Sequence, residues 1–138
     1  VVPGVNQTTL IDDSYNASPG SMEAALSVLR LAPAGSVRVA VLGDMLELGN
    51  HAGKAHEDVG ATAGTAADWV IALGEYADRV VHSARKAGLP DDHAVVAGDV
   101  EEAVALIRPL LSARTQVLIK GSRGMRMERI VEAIRAPA

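Results

Sequence analysis

Five short runs of strand type recur along the chain, each followed within a few residues by a segment of helical periodicity, and that alternation limits the fold more than any other feature. The runs lie at residues 9–12, 38–42, 69–73, 93–96 and 116–119. Two of them, Arg-Val-Ala-Val-Leu at 38–42 and Trp-Val-Ile-Ala-Leu at 69–73, are almost continuously apolar, as strands buried on both faces are. Between the runs, apolar residues fall on single helical stripes: Met22, Ala25, Leu26 and Leu29, then Ala55, Val59, Ala63 and Ala66. A helix over 75–87 ends at Gly88, and Asp99 caps another over 100–111 with Val104, Ile107 and Leu111 inward. Met127, Ile130, Val131 and Ile134 keep register in a last helix. The order βαβαβαβαβα with short connections predicts one α/β domain over residues 1–138. Its form is a Rossmann-like three-layer α/β/α sandwich around a mostly parallel sheet. Val1 and Val2 add a short apolar start suited to an edge strand.

A chain of 138 residues is long enough for a real core. Its net charge of −4 argues against nucleic acid or a membrane surface as partner, since both favour a basic face. With no Phe, one Trp and two Tyr, base stacking has little to work with. The absence of Cys excludes disulfides, thiolate metal sites and Cys nucleophiles. No apolar run approaches the ~20 residues of a membrane span and no signal pattern opens the chain, so the expectation is a cytoplasmic protein. A start at Val1, close to the first polar loop, fits a domain of a longer protein.

In parallel sheets ligands sit beyond the carboxyl ends of the strands, and three loops stand out there. The first, at 13–19, runs Asp-Ser-Tyr-Asn-Ala-Ser-Pro, with Ser18 suited to N-cap a helix and Pro19 to open it. Asp13, Asn16 and free helix amides would face an anion there. Asp12 and Asp13 leave a strand on opposite faces, which argues against a paired acid and base. The second loop, at 43–49, holds Asp44 and Glu47 between glycines. The third is Lys120-Gly121-Ser122-Arg123-Gly124: two cations, a hydroxyl and permissive backbone before a helix. The chemistry reads as an anion-binding domain with Asp13 and Asn16 on one side and Lys120 and Arg123 on the other. The competing reading is a basic turn that satisfies carboxylates such as Asp44 or Glu47. The strand ends at Gly74-Glu75 and Ala97-Gly98 look unremarkable.

Several familiar motifs are missing. Gly49-Asn-His-Ala-Gly53-Lys54-Ala55 falls short of a P-loop, because its glycines are too close and Ala55 lacks the Mg²⁺-binding hydroxyl. Neither a dinucleotide glycine fingerprint nor a nucleophile elbow occurs, which disfavours a nicotinamide oxidoreductase. His51, His56, His82 and His93 do not have metal-ligand spacing. His56 is expected to pack or hydrogen-bond near the second loop, and Met22, Met125 and Met127 to fill core.

Three stretches, in order, resemble the C-terminal domain of the Mur ligases. They are residues 11–19 (IDDSYNASP), 41–49 (VLGDMLELG) with His56 seven residues on, and 118–131 (LIKGSRGMRMERIV). Within that family they are similar to the branch that joins D-alanyl-D-alanine to a UDP-N-acetylmuramoyl-tripeptide in peptidoglycan synthesis. The resemblance implies a larger enzyme in which an N-terminal domain binds UDP and a central ATPase domain holds ATP and Mg²⁺. This domain would close over them and be inactive alone. By position, Asp13 would meet the ATP ribose, with Tyr15 and Asn16 beside the nucleotide. Lys120, Ser122 and Arg123 would place the peptide substrates through their carboxylates, supported by Ser14, Asp44, Glu47 and His56. The resemblance also implies about six strands, with residues 1–5 as an antiparallel edge strand. Ser18 departs from the family's usual Asn, a swap of one good N-cap for another, and Gly124 from its Ser or Ala. The alternative is a stand-alone module that binds nucleotides or small anions without catalysis.

Overall fold

Six strands form one sheet in the computed structural model, which describes residues 1–138. They are β1 (Val2–Pro3), β2 (Thr9–Asp13), β3 (Val37–Leu42), β4 (Trp69–Ala72), β5 (Ala94–Val96) and β6 (Thr115–Lys120). Their order across the sheet is β1-β2-β6-β3-β4-β5, with β1 antiparallel to β2 and every other pair parallel. Five helices cover it: α1 (Pro19–Arg30), α2 (Ala52–Ala66), α3 (Ala77–Lys86), α4 (Val100–Ile107) and α5 (Glu128–Ile134). The α/β/α sandwich with one antiparallel edge strand is therefore the fold.

Side-chain alternation along the strands sorts the core into two layers. Ala40, Leu42, Val70, Ala72 and Leu118 pack against α1, α2 and α3, meeting Met22, Leu26, Val59, Ala63 and Val81. Val39, Val41, Ile71, Val117 and Ile119 face α4 and α5, meeting Ile107, Met127, Ile130 and Ile134. Because both faces are covered, β3 and β4 read as almost continuously apolar runs. β6 leads into α5 on one face, while its neighbours β2 and β3 lead into α1 and α2 on the other. Adjacent strands whose chains leave to opposite sides open a crevice between their ends.

Element ends differ from the sequence expectation for identifiable reasons. β1 stops at Pro3 instead of reaching Val5, because Gly4 N–H bonds the Thr8 carbonyl at 2.7 Å and Val5–Gln7 coil into a 3₁₀ turn. Asn6 and Gln7 take φ of 58° and 66° there, a region open to Asn and costly for most side chains. α1 starts at Pro19, as Ser18-Pro19 predicts, because Ser18 and Ser21 cap each other: the Ser18 hydroxyl accepts from Ser21 N–H, and the Ser21 hydroxyl from Ser18 N–H. α4 stops at Ile107 because Pro109 has no N–H to continue it, and the chain tightens into a 3₁₀ turn over Arg108–Leu110. His93 lies in a 3₁₀ turn instead of β5, its ring stacked on Trp69 at 3.6 Å.

Within the first helix layer, α2 presents Gly60 and Gly64 to α3. A Cβ on Gly60 would collide with the Val80 carbonyl oxygen, and one on Gly64 would lie 2.6 Å from the Ala84 carbonyl oxygen. These collisions are with backbone, which cannot swing away. Gly60→Ala is expected to force the two helices apart and cost about 1–3 kcal/mol despite the higher helix propensity of Ala. The check is a lower denaturant midpoint at unchanged slope.

Candidate functional site

Strand register sets the carboxyl rim. Asp13 at the end of β2 lies beside Lys120 at the end of β6, and Lys120 is also in register with Leu42 of β3. Neighbouring registered residues point to the same face, so the Lys120 ammonium reaches Asp13 Oδ2 at 2.7 Å and donates to the Asn16 carbonyl at 2.9 Å. The Lys120 side chain is 1% exposed and that of Asp13 is 42% exposed. Asp12 leaves on the opposite face, where its Oδ1 accepts from the Ser14 hydroxyl at 2.6 Å and from Ser14 N–H at 3.2 Å. This Asx turn buries Ser14 and bends the first loop away from the sheet.

The second and third loops are joined through their main chains. Gly43 N–H donates to the Lys120 carbonyl at 2.8 Å and Ser122 N–H to the Asp44 carbonyl at 3.0 Å. The Ser122 hydroxyl accepts from Leu46 N–H at 2.9 Å and donates to the Ala17 carbonyl at 3.5 Å, so one side chain touches all three loops. Asp44 turns inward, accepting from Glu75 N–H at 2.8 Å and Tyr76 N–H at 3.1 Å at the start of α3. Gly74, at φ 110°, clears space for that carboxylate, since a Cβ there would overlap it. The strand end at Gly74, unremarkable in the sequence, is thus part of the support. A glycine between a strand and a helix, opposite an acid in the neighbouring loop, was the available signal. His56 is buried; its Nε2 accepts from Met45 N–H at 2.9 Å while Nδ1 donates to the Ala52 carbonyl at 2.6 Å. Its ring stacks on Tyr76 with centroids 4.4 Å apart. This pattern requires the proton on Nδ1 and leaves Nε2 as acceptor.

The three loops enclose a cleft of about 320 Å³. Tyr15, Asn16 and Ala17 form one wall, Leu46 and Glu47 a second, and Ser122, Arg123 and Gly124 the third. Asn16 and Arg123, far apart in sequence, share it. Arg123 is exposed, and its guanidinium makes no hydrogen bond or ion pair within the chain. Tyr15 and Leu46 put apolar surface at the mouth, being 58% and 44% exposed. Glu47 holds φ at 63°, a strained conformation for a non-glycine residue at a site edge.

The expected site residues thus divide by geometry. Tyr15, Asn16, Glu47 and Arg123 line the cleft, and Asp13 lies half-exposed on the rim beside it. Ser14, Asp44 and His56 are buried supports. Lys120 and Ser122 differ from the open anion-binding groups that the loop's composition suggests, because backbone carbonyls, an N–H and Asp13 already occupy their polar atoms. Lys120 pairs with Asp13, not with Asp44 or Glu47. No three His, Asp or Glu gather as a metal cluster. A larger groove of about 400 Å³ lies between the starts of α1 and α2 and holds none of these residues. Lys54 there bonds Asp58, whose hydrogen bond and negative charge raise the ammonium's pKa. On the alkaline side, any support from that exposed pair is lost as pH rises through the raised value.

His56→Leu keeps the volume but strands Met45 N–H inside the fold, and is expected to cost about 1–3 kcal/mol. His56→Gln, whose amide oxygen can accept from the same N–H, is expected to lose less. Denaturant titration of both variants checks the order.

Residues 1–123 match the family described as the glutamate ligase domain of Mur ligases. The chain is 40% identical over 131 residues to the UDP-N-acetylmuramoyl-tripeptide–D-alanyl-D-alanine ligase of Escherichia coli K12, covering 91% of this chain and 26% of that protein. It is 34% identical over 125 residues to the protein of the same name from Bacillus subtilis 168, covering 90% of this chain and 27% of that one. It spans about a quarter of the length of these curated relatives. Among solved structures, the MurF ligase of Thermotoga maritima in complex with ADP matches with a TM-score of 0.77 at 26% identity, over 96% of this chain and 30% of that one. By the domain match over residues 1–123 and the identity to these relatives, this chain belongs to the Mur ligase family, as a member of its glutamate ligase domain.

Proposed function

We propose that the chain is the C-terminal, substrate-closing domain of a cytoplasmic UDP-N-acetylmuramoyl-tripeptide–D-alanyl-D-alanine ligase. The observation that carries this reading is the cleft in which Asn16 and an unpaired Arg123 face one another across the three loops. A domain completing another domain's active site needs such a half-site: outward polar groups on a fixed rim, with no catalytic set of its own. In the reaction, ATP phosphorylates the terminal carboxylate of the UDP-linked tripeptide. The amine of D-alanyl-D-alanine then attacks the acyl carbon, forming the amide bond as the bond to phosphate breaks.

Asp13, Tyr15 and Asn16 are the groups for the nucleotide side of the closed site. Asp13 offers a carboxylate oxygen to sugar hydroxyls, and Tyr15 an exposed ring edge. Arg123 is the group for a peptide carboxylate, which its planar fork can hold through two parallel hydrogen bonds. Ser122 fixes the loop that carries it. Mg²⁺ neutralises phosphate charge when bound, and on the family resemblance its ligands would lie mainly in the central domain.

Arg123→Ala in the full-length enzyme is expected to raise the KM for a carboxylate-bearing peptide substrate about tenfold or more, since a charge-assisted pair is worth roughly 1.5–3 kcal/mol. Arg123→Lys is expected to fall between, having the charge without the fork. Steady-state constants equal to wild type in both variants would remove Arg123 from the site. Calorimetry of this chain alone with ATP is expected to show no tight binding, whereas a self-sufficient binding module would show it.

A further inference from the structure

Lys120 is the largest of the fully buried side chains, and the only charged one among them. An ammonium so enclosed must be matched by acceptors, or its lost hydration goes uncompensated. Two acceptors are in place: Asp13 Oδ2 at 2.7 Å and the Asn16 carbonyl at 2.9 Å. With 1% of its side chain exposed, it has no surface to offer a ligand carboxylate. Its partner is different. Asp13 is 42% exposed, and only Oδ2 is engaged, so Oδ1 remains an acceptor at the rim.

We infer that Lys120 is a positioning residue: it acts through Asp13 and the Asn16 backbone, fixing where the free carboxylate oxygen and the first loop meet a ligand. This rests on the reading of the rim as a substrate-closing half-site. Three consequences follow from the geometry. Fixed at one oxygen, the Asp13 carboxylate presents the other in a single orientation, suited to a neutral donor such as a sugar hydroxyl. The pair is also neutral as a unit, so the cation available to anionic ligands in the cleft is Arg123. Finally, the same ammonium holds the Asn16 carbonyl, so two groups of the first loop depend on one residue of the third.

The test combines kinetics of the full-length ligase with spectroscopy of this chain, whose two core layers are closed within residues 1–138. Lys120→Gln is expected to raise the KM for ATP at least fivefold while leaving the KM for D-alanyl-D-alanine within twofold. In an Asp13→Asn background the same change is expected to raise the KM for ATP by a smaller factor, the part that runs through the Asn16 carbonyl, because the ion pair is already gone. A rise in the peptide KM that persists in the Asp13→Asn background would overturn the inference by making Lys120 a direct ligand. Unchanged constants would overturn it by leaving Lys120 a structural residue alone. Should Lys120→Gln fail to fold, Asp13→Asn and Lys120→Arg carry the test, with Lys120→Arg expected to restore much of the ATP KM. Nitrogen-resolved NMR of this chain should show a slowly exchanging Lys120 ammonium that is lost in Asp13→Asn. Its absence from the wild type would overturn the inference, whereas a full-length protein without ligase activity but with that signal would overturn the functional reading instead.

Discussion

The parallel pairing of β6 with both β2 and β3 is the constraint from which the rim follows. A strand inserted between two others in chain-distant order brings residues 13, 42 and 120 side by side, and the register fixes them to within one residue. A slip by one would turn Lys120 into the opposite layer, among Met127 and Ile130, and expel Ile119 from it. The apolar alternation of β6 therefore does two jobs. It fills both layers and it aims the one charged residue at its end. The handover of β6 to α5, against the direction taken by β2 and β3, leaves the crevice where the three loops meet.

What holds those loops is mostly side chain to main chain. Ser122 bonds the backbone at positions 46 and 17, Asp44 at 75 and 76, His56 at 45 and 52, and Lys120 at 16. No buried side-chain nitrogen or oxygen lacks a partner. Such satisfaction makes the polar rim rigid, because each bond broken inside it would leave a costly orphan. It also separates the labour: inward groups fix the backbone, and Tyr15, Asn16, Glu47 and Arg123 are left to face outward.

Much of this was legible in the sequence. Apolar runs and helical stripes gave each strand and helix, Ser18-Pro19 marked the start of α1, and the unusual loops marked the rim. The family was written in the three motifs. What could not be read was which atoms of the loops were already spoken for. Lys120 and Ser122 look like free ligands when the chain is taken alone, because burial and pairing depend on β2 and on the second loop, 107 and 76 positions away. The contribution of Gly74 is only half legible: its φ of 110° suits glycine locally, but the Asp44 carboxylate it makes room for comes from a distant loop. Element ends shifted where left-handed residues intervened, as at Asn6 and Gln7 after β1, which composition does not announce.

Beneath the cleft, Gly43 and Gly121 pass each other so closely that a Cβ on Gly121 would lie 3.2 Å from the Gly43 Cα, with Met127 closing over both. A side chain at either glycine would have to displace Met127, and one on Gly121 would also press on the Gly43 main chain. Variation in what this domain recognises is therefore channelled to the outer ring of residues. There a substitution changes shape and charge without touching the sheet, so a fixed foundation coexists with an adjustable lip.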